Sequence, residues 1–153
     1  HLFGIAGELD SFDGGVSRVI IKIKGWSLLL AVCYDLRFPV WLRQQPIKGK
    51  HEYDGILVPA NWPESRQNAW ETLIKARAIE NQCYVTGVNR IGIDGFESNH
   101  IGGSLTIGPK GDTLSEAKHS KPGWIVTTFD ALHLSAVRKR YPFIDDADSF
   151  TLQ

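Results

Sequence analysis

Leu28-Leu29-Leu30-Ala31-Val32-Cys33-Tyr34-Asp35-Leu36-Arg37-Phe38-Pro39 decides the reading of this chain. An apolar run of Leu, Ala and Val is the pattern of a strand buried on both faces. The run closes on a cysteine and passes at once into a polar turn. In an open α/β sheet, reactive groups gather at the carboxyl ends of the strands. Asp35-Leu36-Arg37 could open a helix there, and the N–H groups and dipole of a helix start favour a thiolate. A free cysteine is also among the residue types most often buried and inert. The stretch alone therefore leaves Cys33 as either a nucleophile or a core residue.

Working outward, the elements alternate. Arg18–Ile23 and Ser27–Tyr34 read as strands joined through Lys24-Gly25-Trp26, and Asp35–Gln45 as a short helix interrupted early by Pro39. Gln44–Tyr53, with Pro46 and Gly49, reads as a surface loop. Gly55–Pro59 is a buried strand. Pro63–Gln82 is the best helix, with Trp70, Leu73, Ile74, Arg77, Ala78 and Asn81 at helical spacing and Pro63 suited to the first turn. Tyr84–Arg90 is a further strand, and Ile93-Asp94-Gly95-Phe96 a turn. Ser104–Gly108, Thr113–Lys118 and Trp124–Phe129 are predicted strands, with Pro109-Lys110-Gly111-Asp112 turning between the first two. Ala131–Arg140 is a helix capped by Asp130, and Asp145–Gln153 a polar and aromatic tail. The pattern is α/β, compatible with a layered sandwich.

Composition bounds the function. The chain has 153 residues, 42% hydrophobic and 22% charged, enough for a core. Lys plus Arg equals Asp plus Glu at 17 each, which argues against nucleic acid or an anionic membrane as partner. No apolar run reaches the length of a membrane span. Cys33 and Cys83 form no metal or redox spacing, and the five histidines show no metal pattern, so neither metal nor cofactor is expected. Two thiols without a disulfide framework suggest a reducing, cytoplasmic compartment. Cys83 opens a strand and reads as core.

Three segments in order carry a resemblance: Cys33-Tyr34-Asp35-Leu36-Arg37-Phe38-Pro39, then Val58-Pro59-Ala60-Asn61-Trp62-Pro63, then Trp70–Gln82 followed by Tyr84-Val85-Thr86-Gly87-Val88-Asn89-Arg90. Over nearly its whole length the chain resembles the nitrilase, or carbon–nitrogen hydrolase, superfamily. It is most similar to the ω-amidase branch, whose members act on small dicarboxylic monoamides. The start C-Y-D matters, because true nitrilases usually read C-W-E there. The resemblance implies an α-β-β-α sandwich that pairs across its helical faces into a homodimer or larger assembly.

It also implies a Glu–Lys–Cys triad. The family's lysine sits in a K-x-H-L-F stretch, and this chain opens on His1-Leu2-Phe3. The lysine and the first glutamate therefore fall before residue 1, and residues 1–153 read as the C-terminal part of a carbon–nitrogen hydrolase domain. Lys22 and Lys24 belong to a later strand and cannot substitute. Cys33 is the expected nucleophile, forming a thioester, with the Tyr34 N–H as one oxyanion donor. Glu8 matches the acidic residue that approaches the lysine in similar proteins, with Asp13 the weaker alternative. Asn61 and Trp62 are expected to line the pocket, and Arg66 to hold a substrate carboxylate. As residues alone, Glu8 could be a solvated loop carboxylate, Trp62 core cover, and Arg66 a solvated helix arginine. Arg37 is expected in an ion pair with Asp35 or Glu80, and His1 beside the site without acting in it. Two other functions fit the residues less well. One is a nitrilase-like binding or regulatory module without chemistry; the other is an acyl transferase that passes the acyl group to an amine.

Overall fold

The computed structural model describes residues 1–46 and 50–148, the side chain of Ala6 aside. The predicted loop Gln44–Tyr53 and tail Asp145–Gln153 thus lie partly outside the described residues. Among the described residues eight strands form: β1 Val19–Ile23, β2 Trp26–Leu30, β3 Gly55–Ala60, β4 Tyr84–Asn89, β5 Ile91–Ile93, β6 Asn99–Ile101, β7 Leu105–Ile107 and β8 Thr113–Glu116. Three α-helices accompany them: α1 Pro39–Leu42, α2 Gln67–Asn81 and α3 Ala131–Arg140. A six-stranded sheet runs β1-β2-β3-β4-β7-β8, and β5 and β6 make a separate two-stranded ribbon. Within this sheet β2-β3-β4 are parallel, as buried apolar strands joined by helical crossovers should be; β1-β2 and β7-β8 are antiparallel hairpins, and β4 pairs antiparallel with β7 across the β5–β6 ribbon.

The parallel register aligns the core. Leu29 faces Ile56, Ile56 faces Val85, and Val85 faces Ile107, all fully buried. Helix α2 covers this row with Trp70 and Ile74. Its approach needs Gly87: a Cβ there would lie 2.5 Å from the Trp70 ring and 2.8 Å from Ile74. Helix α3 closes the opposite end of the strands. Arg138 donates to Asp54 Oδ1 at 2.9 Å and to the carbonyls of Tyr53 and Gln82, and the Tyr84 hydroxyl meets the backbone of Asp130. Asp130 caps α3 as expected, accepting from the N–H groups of Leu132 and His133. The other face of the sheet leaves Val19, Leu30 and Val88 exposed.

Four expectations need correction. The strand predicted over Ser27–Tyr34 ends at Leu30, and Cys33–Arg37 is a 3-10 helix followed by a single turn of α1, not one helix over Asp35–Gln45. Pro39 takes the first position of α1, where its missing N–H costs nothing. The helix predicted over Pro63–Gln82 is a 3-10 turn, Glu64–Arg66, continued by α2. Trp124–Phe129 forms no strand among the described residues, and Trp124 and Val126 stand almost fully in solvent. The predicted turn at Ile93–Phe96 lies in the β5–β6 connection, whose two short strands the sequence reading missed.

Candidate active site

The carboxyl ends of β2, β3 and β4 share one edge, and the predicted site residues collect there. Ala31 still bonds to the carbonyl of Leu57, so the chain leaves the sheet only at Val32. Cys33 follows with φ of +39°, a left-handed conformation that a non-glycine residue adopts at some cost. The strained residue turns the chain out of the strand direction and into the 3-10 helix, as at a nucleophile elbow. The turn is tied locally: Asp35 Oδ2 accepts from the Val32 N–H at 2.8 Å, and the Asp35 N–H donates to the Val32 carbonyl at 2.9 Å. Its far end is tied by α2, where buried Arg77 donates to the Leu36 carbonyl.

Cys33 is half-buried and unpaired, whereas Cys83 is fully buried, as its strand position predicted. Burial pushes the Cys33 thiol above its ordinary value. Hydrogen bonding from the Asn61 backbone and the charge of the Arg66 guanidinium work in the opposite direction, while the charges of Glu8 and Asp35 add to the rise. Asn61, Arg66 and Glu8 thus all act on Cys33, though the four residues come from three separate segments. Glu8 opens a short 3-10 helix, and its Oε2 accepts from the Phe3 N–H at 2.7 Å. Asp13 is exposed. The Tyr34 ring packs between Phe3 and Phe38, with centroids 4.8 and 5.1 Å away. Arg66 is exposed, with its guanidinium 5.4 Å from the centre of the Phe3 ring.

Asn61 and Trp62 leave β3 in different directions. Asn61 is exposed. Trp62 is only 3% exposed, wedged between Trp70 and the Arg37 guanidinium, and its indole N–H donates to the Arg66 carbonyl at 2.8 Å. Arg37 therefore stacks on Trp62 and forms neither of the ion pairs expected for it. Asp35 instead accepts from His1 Nδ1 at 2.8 Å, and Glu80 pairs with Arg77 at 3.0 Å. The His1 ring stacks on Phe38 at 3.6 Å, beside the turn that carries Cys33.

Two residues that hold this edge together were not singled out from sequence: Arg77 and Asn89. Each is a buried polar group inside an apolar periodic run, which is the signal that could have found it. Elsewhere, Glu71, Glu116 and His119 bring ligand-type atoms within 4.8 Å of one another. Glu71 already has Gln67 Nε2 at 2.9 Å and His119 at 3.7 Å, and two of the three groups are exposed, so the trio reads as surface charge pairing.

Parallel strands thus deliver a half-buried cysteine on a left-handed turn to their carboxyl edge, within an α/β fold. Residues 8–139 match the carbon-nitrogen hydrolase family, and the chain belongs to that family. It is 41% identical over 152 residues to the omega-amidase YafV of Escherichia coli (strain K12), covering 99% of this chain and 57% of that protein. It is 33% identical over 146 residues to the 2-oxoglutaramate amidase of Bacillus subtilis (strain 168), covering 95% of this chain and 54% of that protein. The chain thus spans about half the length of the curated relatives it matches. Among solved structures, XC1258 of Xanthomonas campestris is described as a CN-hydrolase superfamily protein with an arsenic adduct in the active site. It superposes with a TM-score of 0.95 at 40% identity, covering 100% of this chain and 58% of that one. The α/β fold expected from the sequence is the one these neighbours share. No helix among the described residues is long and apolar enough to cross a membrane.

Proposed function

We propose that the complete protein hydrolyses a small, carboxylate-bearing amide through a thioester on Cys33, releasing ammonia. The observation that carries this reading is the elbow: a half-buried thiol on a left-handed residue, just past the carboxyl end of a parallel strand. The similarity to proteins named as an ω-amidase and a 2-oxoglutaramate amidase supports the substrate class.

The chemistry follows from the groups. The Cys33 sulfur attacks the amide carbonyl carbon, and the carbonyl oxygen becomes an oxyanion. The Tyr34 N–H is one donor to it, and the family lysine, outside residues 1–153, is the other. The C–N bond then breaks as the amine takes a proton and leaves as ammonia. Water adds to the thioester, the C–S bond breaks, and the thiol recovers a proton. The family's first glutamate, also outside this chain, shuttles those protons. Glu8 orients the site through charge and through its hold on Phe3. Asn61 lines the pocket, Trp62 supports it from below, and Arg66 receives the distal carboxylate of the substrate. The proposed chemistry needs neither metal nor cofactor.

Residues 1–153 are proposed as the C-terminal part of one domain, the rest of which supplies the lysine and glutamate and covers the exposed Val19–Leu30–Val88 face. These residues by themselves should then be inactive, because groups that act as a unit cannot be removed singly without near-total loss. An amidase assay on residues 1–153 tests this. Assembly as a homodimer or larger oligomer and a cytoplasmic location belong to the same proposal. The direct test of the chemistry is Cys33→Ala in the complete protein. Turnover should vanish with the circular dichroism spectrum unchanged; retained turnover would reject the nucleophile.

A further inference from the structure

Arg66 holds an uncompensated charge on an anchored backbone. Its N–H donates to the Pro63 carbonyl at 3.0 Å, and its carbonyl accepts from the Trp62 indole at 2.8 Å. Trp62 is fixed in turn by Asn89, whose Oδ1 accepts from the Trp62 N–H at 2.8 Å and whose Nδ2 donates to the Trp62 carbonyl at 2.9 Å. The Arg66 guanidinium, in contrast, has no carboxylate or carbonyl partner among the described residues. Two carboxylates from the segments that build the site are engaged elsewhere. Glu8 Oε2 accepts from the Phe3 N–H at 2.7 Å, and Glu64 Oε2 accepts from Asn99 Nδ2 at 2.8 Å. The guanidinium lies instead over the Phe3 ring, 5.4 Å from its centre. That is inside the roughly 6 Å at which a cation is drawn to the negative face of a ring.

An aromatic anchor differs chemically from an acidic one. A carboxylate would neutralise the arginine and occupy its N–H groups. A ring attracts the charge and leaves the planar fork for an oxygen ligand. Phe3 is itself fixed on two sides: its N–H by Glu8, and its ring by Tyr34, with centroids 4.8 Å apart. One side chain thus touches both the residue that follows Cys33 and the cation of Arg66.

We propose that Phe3 determines specificity as a positioning residue: its ring, packed on Tyr34, carries the Arg66 guanidinium with the fork open to the distal carboxylate of the substrate. The inference rests on the reading of Arg66 as the carboxylate holder and extends it to the residue that sets Arg66 in place. An arginine without this support would lose more side-chain freedom on meeting the same carboxylate.

The experiment is steady-state kinetics of the complete protein on succinamate, a short monoamide with a distal carboxylate, and on butyramide, its uncharged counterpart. Phe3→Leu keeps an apolar side chain and removes the ring. It should raise the succinamate KM relative to the butyramide KM by about two- to fivefold, the factor carried by one cation–π contact at an exposed site, with the loss in KM and not in kcat. Phe3→Tyr keeps the ring and should restore the wild-type ratio. In an Arg66→Ala background, Phe3→Leu should move the ratio no further. A folded Phe3→Leu protein with the wild-type ratio, whether both amides suffer equally or neither does, would overturn the proposal and make Phe3 a packing residue. If Phe3→Leu does not fold, pentafluorophenylalanine in place of Phe3 decides, because it keeps the shape and removes the negative face. It should shift the ratio in the same direction, and an unmoved ratio would overturn the proposal. An Arg66→Ala protein with an unchanged ratio would reject the carboxylate role of Arg66 and the proposal with it. A selective effect of Arg66→Ala beside a neutral Phe3→Leu would reject Phe3 alone, so the two failures are distinguishable.

Discussion

Arg77 donates twice to the carbonyl of Leu36, through Nε at 3.1 Å and Nη2 at 2.7 Å, from a side chain that is 4% exposed. Its remaining nitrogen reaches Glu80. One helix side chain thus fixes the last turn of the segment that Cys33 opens, and it does so with a planar fork that a lysine cannot reproduce. Arg77→Met should destabilise the protein by about 2–4 kcal/mol, since a buried carbonyl loses charged donors. Arg77→Lys should recover less than half of that loss. Urea unfolding of the three proteins checks the order.

The two thiols should react very differently. Cys33 is half-buried beside donors, while Cys83 is fully buried and burial pushes its thiol far up. Iodoacetamide under native conditions should label Cys33 alone, with a rate that rises with pH because burial also holds that thiol above its ordinary value of 9.0. Mass spectrometry of peptides after partial labelling gives the ratio. Equal labelling would mean that the elbow confers no access.

Arg66 should separate binding from chemistry. Its exposure leaves room for a ligand carboxylate above the Phe3 ring. Arg66→Ala is expected to raise KM for a dicarboxylic monoamide about tenfold or more, the scale of one charge-assisted hydrogen bond. KM for an uncharged amide of similar size should change little. Steady-state kinetics on the two substrates decides, and equal effects would reduce Arg66 to a surface residue.

Alkaline stability carries a definite sign. Burial raises Cys83 above 9.0 and Tyr53 above 10.0, their ordinary values. The unfolded chain sheds these protons at lower pH than the folded one, so the folded state binds more protons and stability falls as pH rises. The contribution is complete below the unfolded values and is lost progressively above them. The urea midpoint should therefore drop between pH ~8 and pH ~10. Cys83→Ala should flatten that slope, and an unchanged slope would assign it to other groups.

The sequence exposed the main line of the fold because its long elements have strong periods. Gly55–Ala60, α2 and α3 fall where apolar spacing, Pro63 and the Asp130 cap put them, within a turn. The misses have physical causes. Ala31 and Val32 look like strand residues, but the chain turns there to expose Cys33, and propensity cannot register an elbow whose strain is held from elsewhere. Ile91–Ile93 and Asn99–Ile101 are three-residue strands, too short for alternation to show. Trp124–Phe129 has strand-like composition, yet a strand exists only when another pairs with it. At the candidate site, Cys33 and Asn61 stood out by motif, and Arg66 by its place near the start of the following helix. The groups that hold them, Arg77 and Asn89, act across 41 and 27 residues of sequence, and only the folded chain brings those partners together.

The parallel register has a consequence for how such a chain can vary. Leu30 faces Leu57 and Leu57 faces Thr86, so Cys33 and Asn61 each follow their strand by a fixed number of residues. A single residue inserted within Gly55–Ala60 would exchange the two faces of β3, sending Leu57 under α2 and Val58 out. It would also carry Asn61 off the thiol by one step of about 3.3 Å. Length changes within that strand are therefore closed to drift, and sequence divergence there can proceed only by substitution.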